Sequence, residues 1–371
     1  MKGKLRFKLM IFSFAFLVGC NTAAYDSSSE PEPVEEISLV VEYEEEEEEI
    51  EEEIDMEGLA INPLTGLIID EEIAMRRPVA VVINNIPRAL PQSGISQADI
   101  LYEVVAEGGI TRIVGIFTDF DSEKIGPIRS TRDYFTNFAM DHNAVLIHHG
   151  GSPQGYSEIT RLGINNLDGM VLEGTMFWRD PVRNSQSGMR EHSSYTDAEN
   201  IFTTVSNRNI DMEVGDFENE PFRFFAEPTK PEGGTEVIAV TVPFSNSKTA
   251  RFVFDEETGN FRRYQNGQPQ IDEETGEQLE VENVIIQKVN QSVIAGDEAG
   301  RIRVDLVGQG AGYLVTNGVY VPITWRKDST HSPTQWFDAS GEKLQINKGQ
   351  TWVCVFQNTR QVQFEMESEE D

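Results

Sequence analysis

Apolar residues are distributed along the chain in three regimes. The run 9–18 is almost wholly apolar and follows Lys2, Lys4, Arg6 and Lys8. As a helix it is about 15 Å long, half the hydrocarbon thickness, so it reads as the core of a secretory signal rather than a membrane span. The glutamate runs 44–49 and 51–53 offer nothing apolar to bury. From about residue 60 the pattern changes again, and short apolar runs alternate with segments of helical period.

The runs 79–83, 110–118 and 144–147 predict buried strands. Ser130-Thr131-Arg132-Asp133 has the form of a capping box, with Tyr134, Phe135, Phe138 and Ala139 following at helical spacing. Thr196-Asp197-Ala198-Glu199 opens a later helix in the same way. Beyond residue 221 the texture becomes strand-rich, with predicted strands at 236–242, 251–254, 261–264, 281–289, 301–307, 318–325 and 351–356. Asp255-Glu256-Glu257-Thr258-Gly259 and Asn266-Gly267 supply turns between them, and the first of these five-residue sequences recurs at 272–276 as a second hairpin turn. The expected class is α+β: an N-terminal α/β-type layer domain over 58–220, then a mainly antiparallel β domain over 221–371. The boundary falls where Pro221, Pro228 and Pro231 cluster.

Composition changes the reading mainly at the N-terminus. Sixty-three acidic residues against 30 basic ones give a net charge of −33, which argues against a nucleic-acid partner. Seventeen of those acids lie between residues 26 and 57 without one Lys or Arg. Such a segment self-repels, so 21–57 is expected to be a disordered acidic tether spanning about 33 Å or more. Leu17-Val18-Gly19-Cys20 matches a bacterial lipobox. Residues 1–20 are therefore expected to be a lipoprotein signal peptide, and Cys20 the lipidated first residue of the mature chain. That places the protein on the outer face of the cell membrane, anchored by lipid. Cys354 is then the one thiol left, and the apolar run 351–356 marks it as structural.

Two cofactor patterns fail on context. Gly308-Gln309-Gly310-Ala311-Gly312 is followed by strand and turn residues, not by a helix that would face a pyrophosphate. His148 and His149 are adjacent, so on a strand they point to opposite faces, and no Cys-x-x-Cys or His-Glu-x-x-His spacing exists. No cofactor and no metal are expected. A more informative concentration of polar groups lies at element ends. Arg129 and Arg132 flank a predicted helix start, where guanidinium forks can hold an anion or pair with carboxylates such as Glu103 and Glu107. His149 ends a strand at a glycine turn, and Asp180 and His192 lie on later loops.

These segments contain motifs that resemble a known family. Asn62-Pro63-Leu64-Thr65-Gly66, the run 77–85, Ala98-Asp99-Ile100-Leu101-Tyr102-Glu103, Glu107-Gly108-Gly109-Ile110-Thr111-Arg112 and the run 125–132 carry the resemblance. The chain is similar to the YerB-type lipoproteins, the family called domain of unknown function 3048, over nearly everything after residue 60. The family's Pro-His-Asn before a tyrosine corresponds to Glu191-His192-Ser193, which keeps the histidine alone. The resemblance implies a cell-surface lipoprotein with two domains and implies no reaction.

The first expectation is thus a membrane-anchored binding or accessory protein. Its cleft would use Asn84, Arg129, Arg132, His149, Asp180 and His192 to engage an anionic envelope component. The alternative is an envelope hydrolase or transferase with His149 or His192 as base and Asp180 as orienter. A scaffold that docks proteins through the β domain is a third.

Overall fold

The computed structural model describes residues 5–8, 51–215 and 220–367. The chain forms two compact units, Met1–Gly58 and Leu59–Asp371. In the first, Leu5–Lys8 pairs antiparallel with Glu51–Ile54, in a register that sets Arg6 against Glu53 and Lys8 against Glu51. The end of the expected tether is therefore a paired strand. The apolar leader, Cys20 and the remainder of the tether up to residue 50 lie outside the described residues.

The second unit is built on one mixed sheet of eleven strands. The N-terminal half contributes β1 (Val79–Asn84), β2 (Ile100–Val105), β3 (Thr111–Phe117), β4 (Val145–His148) and β5 (Asn166–Asp168). A second, wholly antiparallel sheet is centred on β6 (Ala239–Pro243), β7 (Thr249–Asp255) and β8 (Asn260–Gln265). The chain then returns to the first sheet with β9 (Asn283–Val289), β10 (Gly308–Thr316), β11 (Val319–Lys327) and β12 (Thr351–Gln357). Across the large sheet the order is Thr235–Glu236, β11, β10, β9, β12, β2, β3, β1, β4, β5, with Gln335–Phe337 also on β11. The fold is α+β.

A division at 220/221 does not divide this sheet. Strand β12, near the C-terminus, lies parallel between β9 and β2 and joins the two halves through continuous ladders. The proline cluster that suggests a domain boundary marks a loop, and loops carry no information about which strands share a sheet. Strand β2 was absent from the predicted elements because Glu103 interrupts its apolar run. Gly308–Gly312, the glycine-rich segment rejected above as a dinucleotide loop, is part of the unbroken strand β10.

Both faces of the central strands are covered. Val79, Val81 and Ile83 alternate with Ala80 and Val82 along β1, and the two sets enter different cores. The first core holds Phe252 and Phe261 from the small sheet, Trp352 and Cys354 from β12, and Ile201 and Val205 from helix α3 (Ala198–Asn207), which Asp197 caps. Burial raises the Cys354 thiol well above the ordinary range, as a structural cysteine requires. The second core is closed by Phe135 and Phe138 of α1 (Phe135–Asp141) and Ile159 of α2 (Pro153–Leu162).

Between the two sheets lies an ionic cluster. Glu103 is fully buried and accepts from Arg263 at 2.8 Å, Asn85 at 2.8 Å, Thr111 at 2.6 Å and Trp352 at 3.2 Å. Lys248 lies 3.7 Å from the same carboxylate, and the Arg263 guanidinium sits over the rings of Phe252 and Trp352. Burial would raise the Glu103 pKa, but Arg263, Lys248 and the hydrogen bonds outweigh it and hold it below the ordinary value.

Candidate functional site

The parallel strands β1, β4 and β5 end on one edge of the sheet. The segment 127–131 runs between the ends of β1 and β4. Arg129 N–H donates to Val82 O at 2.8 Å, His149 N–H to Arg129 O at 3.1 Å, and Asn84 N–H to Pro127 O at 2.8 Å. This edge pairing consumes Ser130 and Thr131, so the expected capping box does not form. Ser130 Oγ donates to His149 O, Thr131 bridges Gly151, and α1 begins only at Phe135 with no side-chain cap. Gly126 makes the turn possible. Its φ is +145°, and a Cβ there would meet Ser194 O and Tyr195 at 2.9 Å.

The six candidate residues separate into four groups. Asn84 and His192 form the first. Asn84 Nδ2 donates to His192 Nδ1 at 2.8 Å, while Asn84 Oδ1 faces the Ile86 N–H at 3.4 Å, which fixes the amide. An accepting Nδ1 puts the proton of the neutral ring on Nε2. His192 is 9 % exposed, and its Nε2–H has no partner among the described residues. Burial lowers its pKa, the Arg129 charge lowers it further against Glu191, and Arg88 and Arg183 act in the same direction.

Arg129 belongs with this pair. It spends one donor, Nη2, on Glu191 at 2.6 Å, and its Nε and Nη1 have no partner among the described residues. Arg132, in contrast, is consumed. Glu107 binds its Nε and Nη2, and Thr131 O takes Nη1 at 2.6 Å. Arg112 shares Glu107 at 3.5 Å and leaves its Nε buried without a partner. Burial and the Arg132 charge bring Arg112 down to about 9.

His149 faces another set of groups. Its Nδ1 lies 2.7 Å from Ser194 Oγ and its Nε2 2.8 Å from Arg179 Nη2, and Arg179 also binds Glu173 at 2.7 Å. A guanidinium can only donate, so Nε2 accepts and Nδ1 carries the proton that Ser194 receives. Ser194 is therefore not deprotonated by this histidine. Burial and Arg179 lower the His149 pKa to about 4. Asp180 stands apart from both histidines. Its carboxylate caps a short helix through Arg183 N–H at 2.8 Å and binds Lys124 at 3.1 Å. Burial would raise its pKa, but the Arg183 amide and Lys124 hold it below the ordinary range. The expected role of Asp180 as orienter of a histidine base is thus corrected: among the described residues its carboxylate is held by the Arg183 amide and Lys124 and contacts neither histidine.

Arg179 and Ser194, on the polar loops 178–183 and 190–195, complete the surroundings of His149 together with Glu173, which no sequence motif marked. Arg88 is exposed, acts on His192 and makes no hydrogen bond or ion pair among the described residues. Its one signal was position, in the short turn Pro87–Ala89 directly after β1. Along this edge the carboxylates are shared: Glu107 serves Arg132 and Arg112, Glu173 serves Arg179 and Arg190, and Glu273 serves Lys124 and Arg183. Cations therefore outnumber the acids that bind them, on a protein whose net charge is −33. Among the described residues no group of three or more His, Cys, Asp or Glu is arranged to hold a metal ion. A cavity of about 700 Å³ lies elsewhere, lined by Pro63, Arg76, Pro78, His142 and Trp336 among others, and includes none of the six candidates.

A strand-end edge rich in guanidinium groups on an α+β sheet defines a class of architecture, not a reaction. The chain belongs to the DUF3048 family: residues 64–211 match its N-terminal domain and residues 240–353 its C-terminal domain, both described as a protein of unknown function. It is 30 % identical over 295 residues to "Putative lipoprotein YerB" of Bacillus subtilis (strain 168), covering 79 % of this chain and 85 % of that protein. The crystal structure of YerB protein from Bacillus subtilis superposes with a TM-score of 0.71 at 30 % identity, over 81 % of this chain and 98 % of that one.

Proposed function

We propose that this protein is a lipid-anchored extracytoplasmic lipoprotein whose strand-end cleft binds an anionic group of an envelope component. The anchor is supported by the lipobox at Leu17-Val18-Gly19-Cys20 and by the lipoprotein name of the Bacillus subtilis relative. The binding role rests on one observation: among the described residues, His192 Nε2–H, the Arg129 Nε and Nη1 donors and the nearby Arg88 have no partner. Donors of this kind, partly removed from water, form strong charge-assisted hydrogen bonds to an oxyanion.

A catalytic reading finds less support, because Arg179 makes His149 a donor to Ser194 and Asp180 is committed to Lys124 and its own helix. Two experiments test the proposal. Metabolic labelling with a radioactive fatty acid should mark the wild type and not Cys20→Ala, and equal labelling would refute the anchor. Calorimetric titration of the full chain in detergent with inorganic phosphate should show binding that Arg129→Ala weakens about tenfold. Equal affinity in the two proteins would refute the cleft.

A further inference from the structure

One partner of the cleft is supplied by the chain itself. The Glu191 carboxylate is 70 % exposed and reaches back to Arg129 Nη2, the cation nearest in effect to His192. The turn Arg190–His192 places Glu191 next to the histidine in sequence, so the carboxylate and an incoming anion compete for one guanidinium. We propose that Glu191 is a built-in competitor for the Arg129 guanidinium: it weakens every anion that enters, so that the phosphomonoester dianion, with charge and acceptors left over for His192 and Arg88, is the class that still binds. This rests on the anion-binding reading above.

The argument is one of exchange. A monoanion that displaces Glu191 replaces one oxyanion by another at Arg129 and gains no charge. A phosphomonoester carries about −1.5 to −2 at neutral pH on three acceptor oxygens. It can replace Glu191 at Arg129 and still offer charge and acceptors to His192 Nε2–H and Arg88. Because the Arg129–Glu191 pair is exposed, opening it costs little, and the competitor is weak enough to be displaced. A phosphodiester polymer would then be held at a terminal monoester and not along its backbone.

The test titrates the full chain with methyl phosphate, dimethyl phosphate and acetate, in the wild type, Glu191→Gln and Arg129→Ala. Wild type should prefer methyl phosphate to either monoanion by at least about fivefold. Glu191→Gln, at an exposed position, should bind methyl phosphate about two- to fivefold tighter. Unchanged or weaker binding in Glu191→Gln, or a wild type that does not discriminate, overturns the inference. If Arg129→Ala still weakens binding in that case, the anion cleft stands without the competitor. If methyl phosphate binds neither wild type nor Glu191→Gln, both fall.

Discussion

Asn84 donates to His192 Nδ1 across 108 residues of sequence, and that bond decides which nitrogen of the ring carries the proton. Replacing the donor by an acceptor reverses the arrangement. In Asn84→Asp the carboxylate would hold a proton on Nδ1 and favour the imidazolium. The His192 pKa, held below the ordinary value in the wild type by burial and Arg129, should rise in the variant. Nitrogen-15 NMR of the imidazole reads both tautomer and titration, and a wild-type ring protonated on Nδ1 would contradict the assignment.

Ser194 sits in hydrogen-bond contact with a histidine, yet its hydroxyl is expected to be inert. Arg179 fixes His149 as the donor, and a pKa of about 4 keeps the ring neutral. A fluorophosphonate probe should leave Ser194 unmodified, by intact-protein mass. Stoichiometric labelling lost in Ser194→Ala would overturn this.

The same histidine links stability to acid. Its folded pKa lies below the unfolded value of 6.5, so between about 4 and 6.5 the unfolded chain binds more protons. His149 therefore makes stability fall as pH drops through that window. Arg179→Met removes the neighbouring charge and should raise the His149 pKa, with burial still holding it under 6.5. A His149 titration in Arg179→Met that coincides with wild type, by NMR, would show that Arg179 does not set it.

The Glu103 cluster carries the largest expected stability effect. Glu103→Gln leaves Arg263 and Lys248 buried without a carboxylate and should destabilise by about 3–5 kcal/mol in urea unfolding. Lys248 adds a pH signature. Burial brings it from 10.5 to about 7, so between those values the unfolded chain holds more protons and stability rises with pH. Lys248→Met should flatten that rise. A slope that survives the substitution would assign it to another group.

Gly169 leaves no room for a side chain. A Cβ there would lie 2.2 Å from His149 Nδ1, so Gly169→Ala should displace the ring and break its bond to Ser194. A cost of about 1–3 kcal/mol is expected. Wild-type stability with an unmoved His149 titration would refute it.

Legibility of the sequence divided along physical lines. Short apolar runs gave β1, β3 and β4, and turn residues gave the β7–β8 hairpin, because both signals are local. Strand β2 was hidden by Glu103, whose partner Arg263 lies 160 residues away. Ser130 and Thr131 looked like a cap because nothing in sequence shows that the edge of β4 would claim their polar groups. The candidate residues lie at the end of β1 and on later turns and loops, but their grouping was settled by partners: Glu107 takes Arg132 and Lys124 takes Asp180, leaving Asn84, Arg129 and His192 together.

The anion cleft is tested most directly at His192 itself. Titrating the full chain with methyl phosphate while following the imidazole and the Arg129 Nε–H by nitrogen-15 NMR isolates the proposed contacts. Saturable shifts at His192 Nε2 and Arg129 Nε are the predicted result, with the His192 shift in Arg129→Ala needing about tenfold more methyl phosphate. Resonances that stay fixed at phosphate concentrations where calorimetry detects binding would place the anion elsewhere and contradict the account.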